Sequence, residues 1–505
     1  TVGLADRTGG FFFGGHRSVQ YFHPETGLDF LSRRNGLVSE GATSFFLDRE
    51  GNLWITTTRG ISKLISRRFA GYNRETGLLE DEVSSIIQMQ SGKIVLGHQG
   101  GLTFLGPVYK TLRFDGSEPA LSRVVDMEED PSGNLWIAAD RRGLARLSPR
   151  GHIRWYGMEE DLPWGIFALH LGSDGKIWIG TVAGLFFKNG DQFEKVALPG
   201  VVAPFIRRLE PGPDGSFYIV TANKGVFWYR DENIIQYLPE PGQTGGNCYT
   251  CLSLSDKGLF VGTSDGLFIQ QDGVLVPTSH PDPVIKRPVY SIFQDNLGVF
   301  WFGTDLGVMQ WDGSQLKHFT INEGLLGNES NRDALTQTAD GNIWIGTDSG
   351  ASEYCRIFDL PPTESPNLQI TGIMVEGTIY PADRELILDR PPHTMNVLYE
   401  DFSFLDESKT VVLTQLQNFE DQWHGADSPN SGTSSMNYIN ISPGKYNFLV
   451  QAIRGDGVSS EIMISPLITI KPTFTDRLYV RVLLVLVVLG LVWAIFVSIT
   501  SRRYA

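Results

Sequence analysis

The sequence predicts an all-β fold closed by a single helix: a seven-bladed β-propeller with remnant blades of a second, an immunoglobulin-like β-sandwich, and one transmembrane α-helix. Three observations predict it. A strand-and-turn motif with an aromatic anchor recurs at intervals of 40 to 43 residues over most of the chain. The stretch after it keeps strand-like runs and turn signals but loses the period. Near the C-terminus, residues 482–499 form eighteen consecutive positions without a charge.

The repeat comes first. Gly51-Asn-Leu-Trp54-Ile-Thr, Gly133-Asn-Leu-Trp136-Ile-Ala, Gly175-Lys-Ile-Trp178-Ile-Gly and Gly341-Asn-Ile-Trp344-Ile-Gly are near-copies. Weaker copies place Phe12, Val95, Tyr218, Phe260 and Trp301 at the anchor. A glycine follows most anchors: Gly60, Gly101, Gly143, Gly184, Gly225, Gly266, Gly307 and Gly350. Within a unit, an alternating run ends in a turn such as Asp174-Gly175 or Asp340-Gly341, whose residues tolerate positive φ. A second strand carries the anchor, the glycine opens a third, and a fourth ends near an aromatic, as at Phe69-Ala-Gly-Tyr72. Four strands in such a unit make a propeller blade. The anchor reads as apolar area between blades, and the turn aspartates read as turn chemistry.

These repeats resemble the two-component regulator propeller repeat. Gly36-Leu37-Val38-Ser39, Gly77-Leu78 and Gly324-Leu325-Leu326-Gly327-Asn328 match its opening. Ile343-Trp344-Ile345-Gly346-Thr347 and Phe300-Trp301-Phe302-Gly303-Thr304 match its core. The unit around Tyr218 departs most, with Ile219-Val220 where Ile-Gly is usual. The resemblance covers about residues 1–356 and implies fourteen repeats in two seven-bladed rings. Nine anchors are present, so the expected division is residues 1–75 as the last two blades of an upstream propeller and 76–360 as one closed ring. A single ring of eight or nine blades is the alternative. The chain opens inside a repeat, without Met or signal peptide, which predicts that it is a fragment.

Pro361-Pro362-Thr-Glu-Ser-Pro366 marks a linker. Residues 366–472 follow as the sandwich, with strand-like runs at Leu368-Gln-Ile-Thr, Thr410-Val-Val-Leu-Thr, Met436-Asn-Tyr-Ile-Asn and Tyr446-Asn-Phe-Leu-Val-Gln-Ala. This part resembles the triple-tyrosine domain of sensor proteins. The matching residues are Phe419-Glu-Asp-Gln-Trp423, Tyr438-Ile-Asn-Ile-Ser-Pro443-Gly444-Lys-Tyr446, Gly455-Asp-Gly457 and Ile470-Lys-Pro472, read as corner and core residues. Leu413-Thr-Gln-Leu416 stands where Tyr-Arg-Leu is usual.

The helix is placed over residues 478–499. About 20 residues rising 1.5 Å each span the roughly 30 Å hydrocarbon layer. Arg502-Arg503 and the family order put the C-terminus in the cytoplasm, with Asp476, Arg477 and Arg481 outside. The expected location is the inner membrane, with the β domains in the periplasm. The chain stops just after the arginine pair, where the resemblance implies a cytoplasmic output module: a histidine kinase, a diguanylate cyclase, a phosphatase or a DNA-binding regulator.

Composition narrows the partners. The 505 residues carry 57 acidic and 42 basic side chains, a net charge of −15. That argues against nucleic acid. The three cysteines, Cys248, Cys251 and Cys355, are too few for a disulfide scaffold. Cys248-Tyr-Thr-Cys251 has no second ligand pair, so the expectation is buried small residues, no metal and no cofactor, with a local disulfide as the minor reading.

Strand alternation puts the between-blade loops and the loops after the anchor strand on one face, the usual place for a propeller ligand. The first set offers Asp81, Trp164, Asn247, Arg287, Asn328 and Arg332; the second offers His98, Arg141, Lys224, Asp265, Asp305 and Asp348. Charge, amide and one Trp suit an oligosaccharide or a small polar metabolite. The expected function is the sensor half of a transmembrane receptor, working as a homodimer, with no catalytic residue of its own. A lyase of the streptogramin-lyase kind needs a convergent His with an acid–base partner, and the nine histidines are scattered. A surface adhesion propeller is the third class.

Overall fold

A computed structural model describes residues 2–15, 18–32, 37–114, 122–239, 247–254, 257–279, 281–360, 364–405, 410–427, 434–455, 457–474 and 478–504. Gly36, Pro361-Pro362, Asp456, Asp476 and Arg477 lie outside these residues, as do the side chains of Arg481, Arg502 and Arg503. The chain divides into two compact units. The first comprises residues 1–43, 57–62 and 66–360; the second comprises 44–56, 63–65 and 361–505.

A few side-chain devices recur in several of the blades. In the first hairpin an aspartate six residues before the Trp accepts the indole N–H, at 3.0 Å for Trp136 on Asp130 and 3.1 Å for Trp301 on Asp295. The same carboxylate takes backbone N–H groups inside its turn, from Asn134 or from Leu297 and Val299. One side chain thus fixes both the turn and the rotamer of the large ring. A threonine closes the next turn: Thr181, Thr263, Thr304 and Thr347 each donate to the carbonyl of the glycine three residues on, at 2.8–2.9 Å.

In the last blade the aspartate is replaced by Thr338, and the buried Trp344 indole N–H has no partner. Thr338→Asp is therefore expected to stabilise the fold by about 1 kcal/mol. A thermal scan that shows no rise in Tm would refute the reading of the lock.

The glycine of the Ile-Gly-Thr core is a close-approach residue. A Cβ on Gly180 would lie 2.5 Å from Cγ2 of Ile206, the first residue of the next blade. Where Val220 replaces this glycine, the next blade begins instead with the smaller Cys248, and the two share one core cluster. Cys248 and Cys251 are both buried in that cluster as thiols, not as a disulfide. Burial pushes the Cys248 thiol up to about 12.

Seven four-stranded blades follow one another around a channel. Their innermost strands are Ser85–Gln88, Val124–Glu129, Ile166–Leu171, Ile206–Pro211, Cys248–Leu254, Val289–Gln294 and Ser330–Gln337. Each touches the next, and the seventh returns to the first, where Asp333 pairs with Ser85. The outermost strand of blade seven is Phe69–Tyr72, which pairs antiparallel with Gly350–Tyr354. By its place in the sequence Phe69–Tyr72 is expected to be the fourth strand of the Trp54 repeat. That expectation is corrected: ring closure hydrogen-bonds this strand, where the chain enters the ring, to the last blade. Before it, Val2–Ala5, Phe11–Gly15, Ser18–His23 and Gly27–Leu31 form a separate four-stranded sheet over buried Phe12 and Tyr21.

In the second unit two sheets enclose one core. One sheet runs Thr378–Tyr380, Leu368–Val375, Thr394–Asp401, Ser434–Ile439; the other contains Leu386–Leu388, Ile468–Ile470, Gly444–Ile453, Val411–Gln417 and His424–Asp427. Val397, Leu416, Tyr438, Tyr446 and Phe448 meet between them. Of the expected core residues, Phe419 and Trp423 are not buried, at 45% and 36% exposure. Glu420 holds that corner instead, accepting from Leu416 N–H at 2.6 Å and Tyr438 O–H at 3.2 Å. The hairpin of Ser44–Leu47 and Leu53–Thr57 belongs here too: Glu50 in its turn accepts from Phe404 N–H at 2.7 Å and faces buried Arg454. The helix runs Leu478–Tyr504, and its apolar segment Val482–Ile499 is exposed.

Candidate ligand site in the propeller channel

A cavity of about 350 Å³ opens among the starts of the innermost strands. Its walls come from one recurrent irregularity. The pairing register slips between Val124 and Asp126, Ile166 and Ala168, Ile206 and Arg208, Cys248 and Thr250, and Val289 and Ser291. Each slip is a β-bulge, which sets two residues against one and re-aims a side chain. The bulge residues are Val125, Phe167, Arg207, Tyr249 and Tyr290, and all line the cavity. In blade seven the slip is longer, from Ser330 to Leu335, and brings in Asn331, Arg332 and Asp333. The flanking Val124, Ile166, Ile206, Cys248 and Val289 are fully buried, so the bulges are held rigidly.

The rim is basic and aromatic. Arg207 stacks over Tyr249 at 4.7 Å and donates to the Cys248 carbonyl at 3.3 Å. Tyr249 meets Tyr290 edge-on at 5.1 Å. Arg332 lies 5.9 Å from the Tyr249 ring, and its surroundings together with Arg207 and Arg123 bring its pKa down to about 10, so it stays charged at neutral pH. Arg123 pairs with Glu82 at 2.8 Å. Among the described residues the buried Nε groups of Arg123 and Arg207 have no hydrogen-bond partner.

A charged cluster accompanies the rim. Arg208 pairs with Glu210 at 3.1 Å and with Asp333. Asp333 also accepts from Ser85 at 2.6 Å. Asp126 accepts backbone N–H bonds from Leu169 and Met127 at 2.7 and 2.8 Å. Burial, with Asp333 beside it, drives the Asp126 carboxyl well above the usual range. Burial pushes Glu128 up to about 7 against the pull of Arg208, and raises Glu210.

Of the twelve residues the sequence offered, Arg332 lines this cavity. His98 is fully buried, with Nδ1 on the Glu82 carbonyl at 2.8 Å and Nε2 on Thr103 Oγ1 at 2.9 Å. Arg287 and Asp305 form a two-pronged pair at 3.0 and 3.1 Å. Asn328 accepts from Ile321 N–H, Asp81 accepts from Arg74 N–H, and Asn247 donates to the Tyr249 hydroxyl. Trp164, Arg141, Lys224, Asp265 and Asp348 are exposed on loops of separate blades. The residues missed were the bulge positions, because strand alternation alone hides them. Their signal is an aligned position, just inside each inner strand, that varies as Val, Phe, Arg, Tyr, Tyr after a buried Val, Ile, Ile, Cys, Val.

Residues 324–349, which run from the opening of blade seven through its Trp344 strand, match the model of the two component regulator propeller. The chain carries a two-component regulator propeller repeat at these residues. No curated protein matches it. Among solved structures, this propeller protein is similar to the extracellular domain named for the hybrid two component system BT3049 from B. thetaiotaomicron. Identity is 19%, coverage is 93% of this chain and 72% of that one, and the TM-score is 0.71, a likeness of fold. The corresponding domain of BT4673 from the same organism gives 17% identity, 93% and 69% coverage and a TM-score of 0.49. A virginiamycin B lyase from Staphylococcus aureus gives 13%, 56% and 98% coverage and 0.46, too low to bear on chemistry. The fold-level likeness is thus to an extracellular domain, and the lyase likeness is weaker. The C-terminal segment Val482–Ile499 is long and apolar enough to cross a membrane.

Proposed function

We propose that the chain is the extracytoplasmic sensor region of a bacterial transmembrane signalling receptor, anchored in the inner membrane. A small polar ligand or oligosaccharide binds at the propeller, and the sandwich and helix of a homodimer pass the change to a cytoplasmic output module. The observation that carries this reading is one chain joining a regulator-propeller repeat to a helix of membrane length whose apolar segment is exposed. A ligand shifts such a receptor only if it prefers one of two states, and two helices related by a two-fold axis supply states that can differ.

The test is topology. With a reporter fused after Ala505, the expected result is a cytoplasmic C-terminus and protease-accessible β domains in spheroplasts. A chain ended at Pro472 should leave the membrane fraction. Membrane retention of that shortened chain, or an outward C-terminus, would overturn the proposal.

A further inference from the structure

Four arginines line one cavity in the propeller channel, together with Glu329 and Asp333; Arg208 is matched by Glu210 and Asp333, which leaves the three guanidinium groups of Arg123, Arg207 and Arg332. Among the described residues Arg123 has Glu82, whereas Arg207 and Arg332 have no carboxylate partner. Two of the three keep a buried Nε–H that donates to nothing. Like charges facing one another with unspent donors repel, and the ring leaves them an open cavity where a counter-charge would sit. Tyr249 and Tyr290, packed edge-to-face against each other, both line that space and offer it aromatic surface. A cavity of about 350 Å³ lies at the lower end of the range for small-molecule sites.

We infer that this cavity binds an oxyanion carried on a small polar molecule, a carboxylate, sulfate or phosphate group held between Arg207 and Arg332 with its body against Tyr249 and Tyr290. The inference rests on the sensor reading and names the ligand class of its site. Planar guanidinium forks match the spacing of oxyanion oxygens and are weakly hydrated, so they release water readily for such a group. Arg332 comes from the long slip of blade seven and Arg207 from the bulge of blade four, so the anion bridges opposite sides of the ring. The basic rim stands out against the chain's overall charge of −15, so the acidic surface does not explain it.

The experiment uses the full chain in detergent at low ionic strength. Glucuronate, inorganic sulfate, inorganic phosphate and glucose are titrated by calorimetry, and Tm is read in parallel with chloride matched. At least one of the three anions is expected to bind and to raise Tm, while glucose does neither. Which anion binds assigns carboxylate, sulfate or phosphate. Arg207→Gln and Arg332→Gln should each weaken that binding at least tenfold, and Asp174→Asn, in a blade-three turn, should not. In the absence of anion, Arg332→Gln should leave Tm unchanged or higher, because it relieves repulsion. A purely structural arginine would lower it. Binding of glucose with the arginine variants unaffected, or no anion binding by a chain whose Tm is normal, overturns the inference. Either outcome leaves the topology test standing, so failure of the ligand class and failure of the sensor reading are told apart.

Discussion

Replacing Arg208 by Met is expected to unfold the propeller at neutral pH. Arg208 is the cation among Asp126, Glu128, Glu210 and Asp333, all close enough to feel its charge. Removing one partner of a buried ion pair costs about 3–5 kcal/mol, because the other charge is left without compensation. Here four carboxylates lose the same partner, and Met fills the volume without supplying a donor. The cost should shrink in acid. Glu128 titrates near 7 in the fold, above its ordinary 4.5, so the folded state favours its neutral form. A raised carboxyl contributes stability that is fully present below about 4.5 and is lost as pH rises through 7. Asp126 acts in the same direction. Thermal unfolding of wild type and Arg208→Met at pH 5 and pH 7.5 checks this: the gap in Tm should widen at the higher pH. Glu128→Gln should flatten the wild-type slope. An equal gap at both pH values would mean that Arg208 acts by packing, not charge.

Much of the fold was legible because its signals are local. The Asp-to-Trp spacing, the Thr-x-x-Gly turn and the apolar helix each lie within a short window, and the structure shows what each does. The propeller and the helix follow from them. Phe69–Tyr72 was not legible. Its sequence suits a fourth strand of the preceding repeat as well as of blade seven, and only ring closure chooses. The same holds for Glu50, which looks like a turn residue of the Trp54 repeat but accepts from the backbone of Phe404 in the second unit.

The candidate site was harder to see, for a geometric reason. Alternation assigns side chains to faces as long as the register is unbroken, and the cavity is made where it breaks. A bulge between Cys248 and Thr250 turns Tyr249 into the channel while keeping both Cys248 and Cys251 in the core; three positions apart, they would otherwise face opposite ways. Arg332 was reached from the loop inventory, yet its neighbours Arg207 and Tyr249 were not. One trace of the site did lie in the spacing. The interval from Trp301 to Trp344 is 43 residues, the longest of the series, and the long slip that holds Asn331, Arg332 and Asp333 falls within it.

Trp301→Ala is expected to cost about 3–5 kcal/mol, the range for deleting a fully buried large aromatic. Among the described residues Trp301 is the largest fully buried side chain. It lies between blades six and seven, edge-on to Tyr354 at 4.8 Å and in one cluster with Ile343 and Ile345 of the next blade. Its loss opens a cavity at a blade interface, where the fixed curvature of the ring prevents collapse. It also strips an indole donor from Asp295, whose carboxylate then keeps Leu297, Val299 and Arg356. Trp301→Phe separates the two contributions, since it keeps much of the area and loses the N–H. It should cost less than half as much as Ala. Denaturant titration of both variants gives the comparison. Trp54→Ala is a useful contrast: Trp54 makes the same bond to its own Asp48 at 2.9 Å but is only partly buried, so its loss should be smaller. If Trp301→Phe and Trp301→Ala cost the same, the hydrogen bond to Asp295 is the device that holds the blade, and apolar area between blades is not.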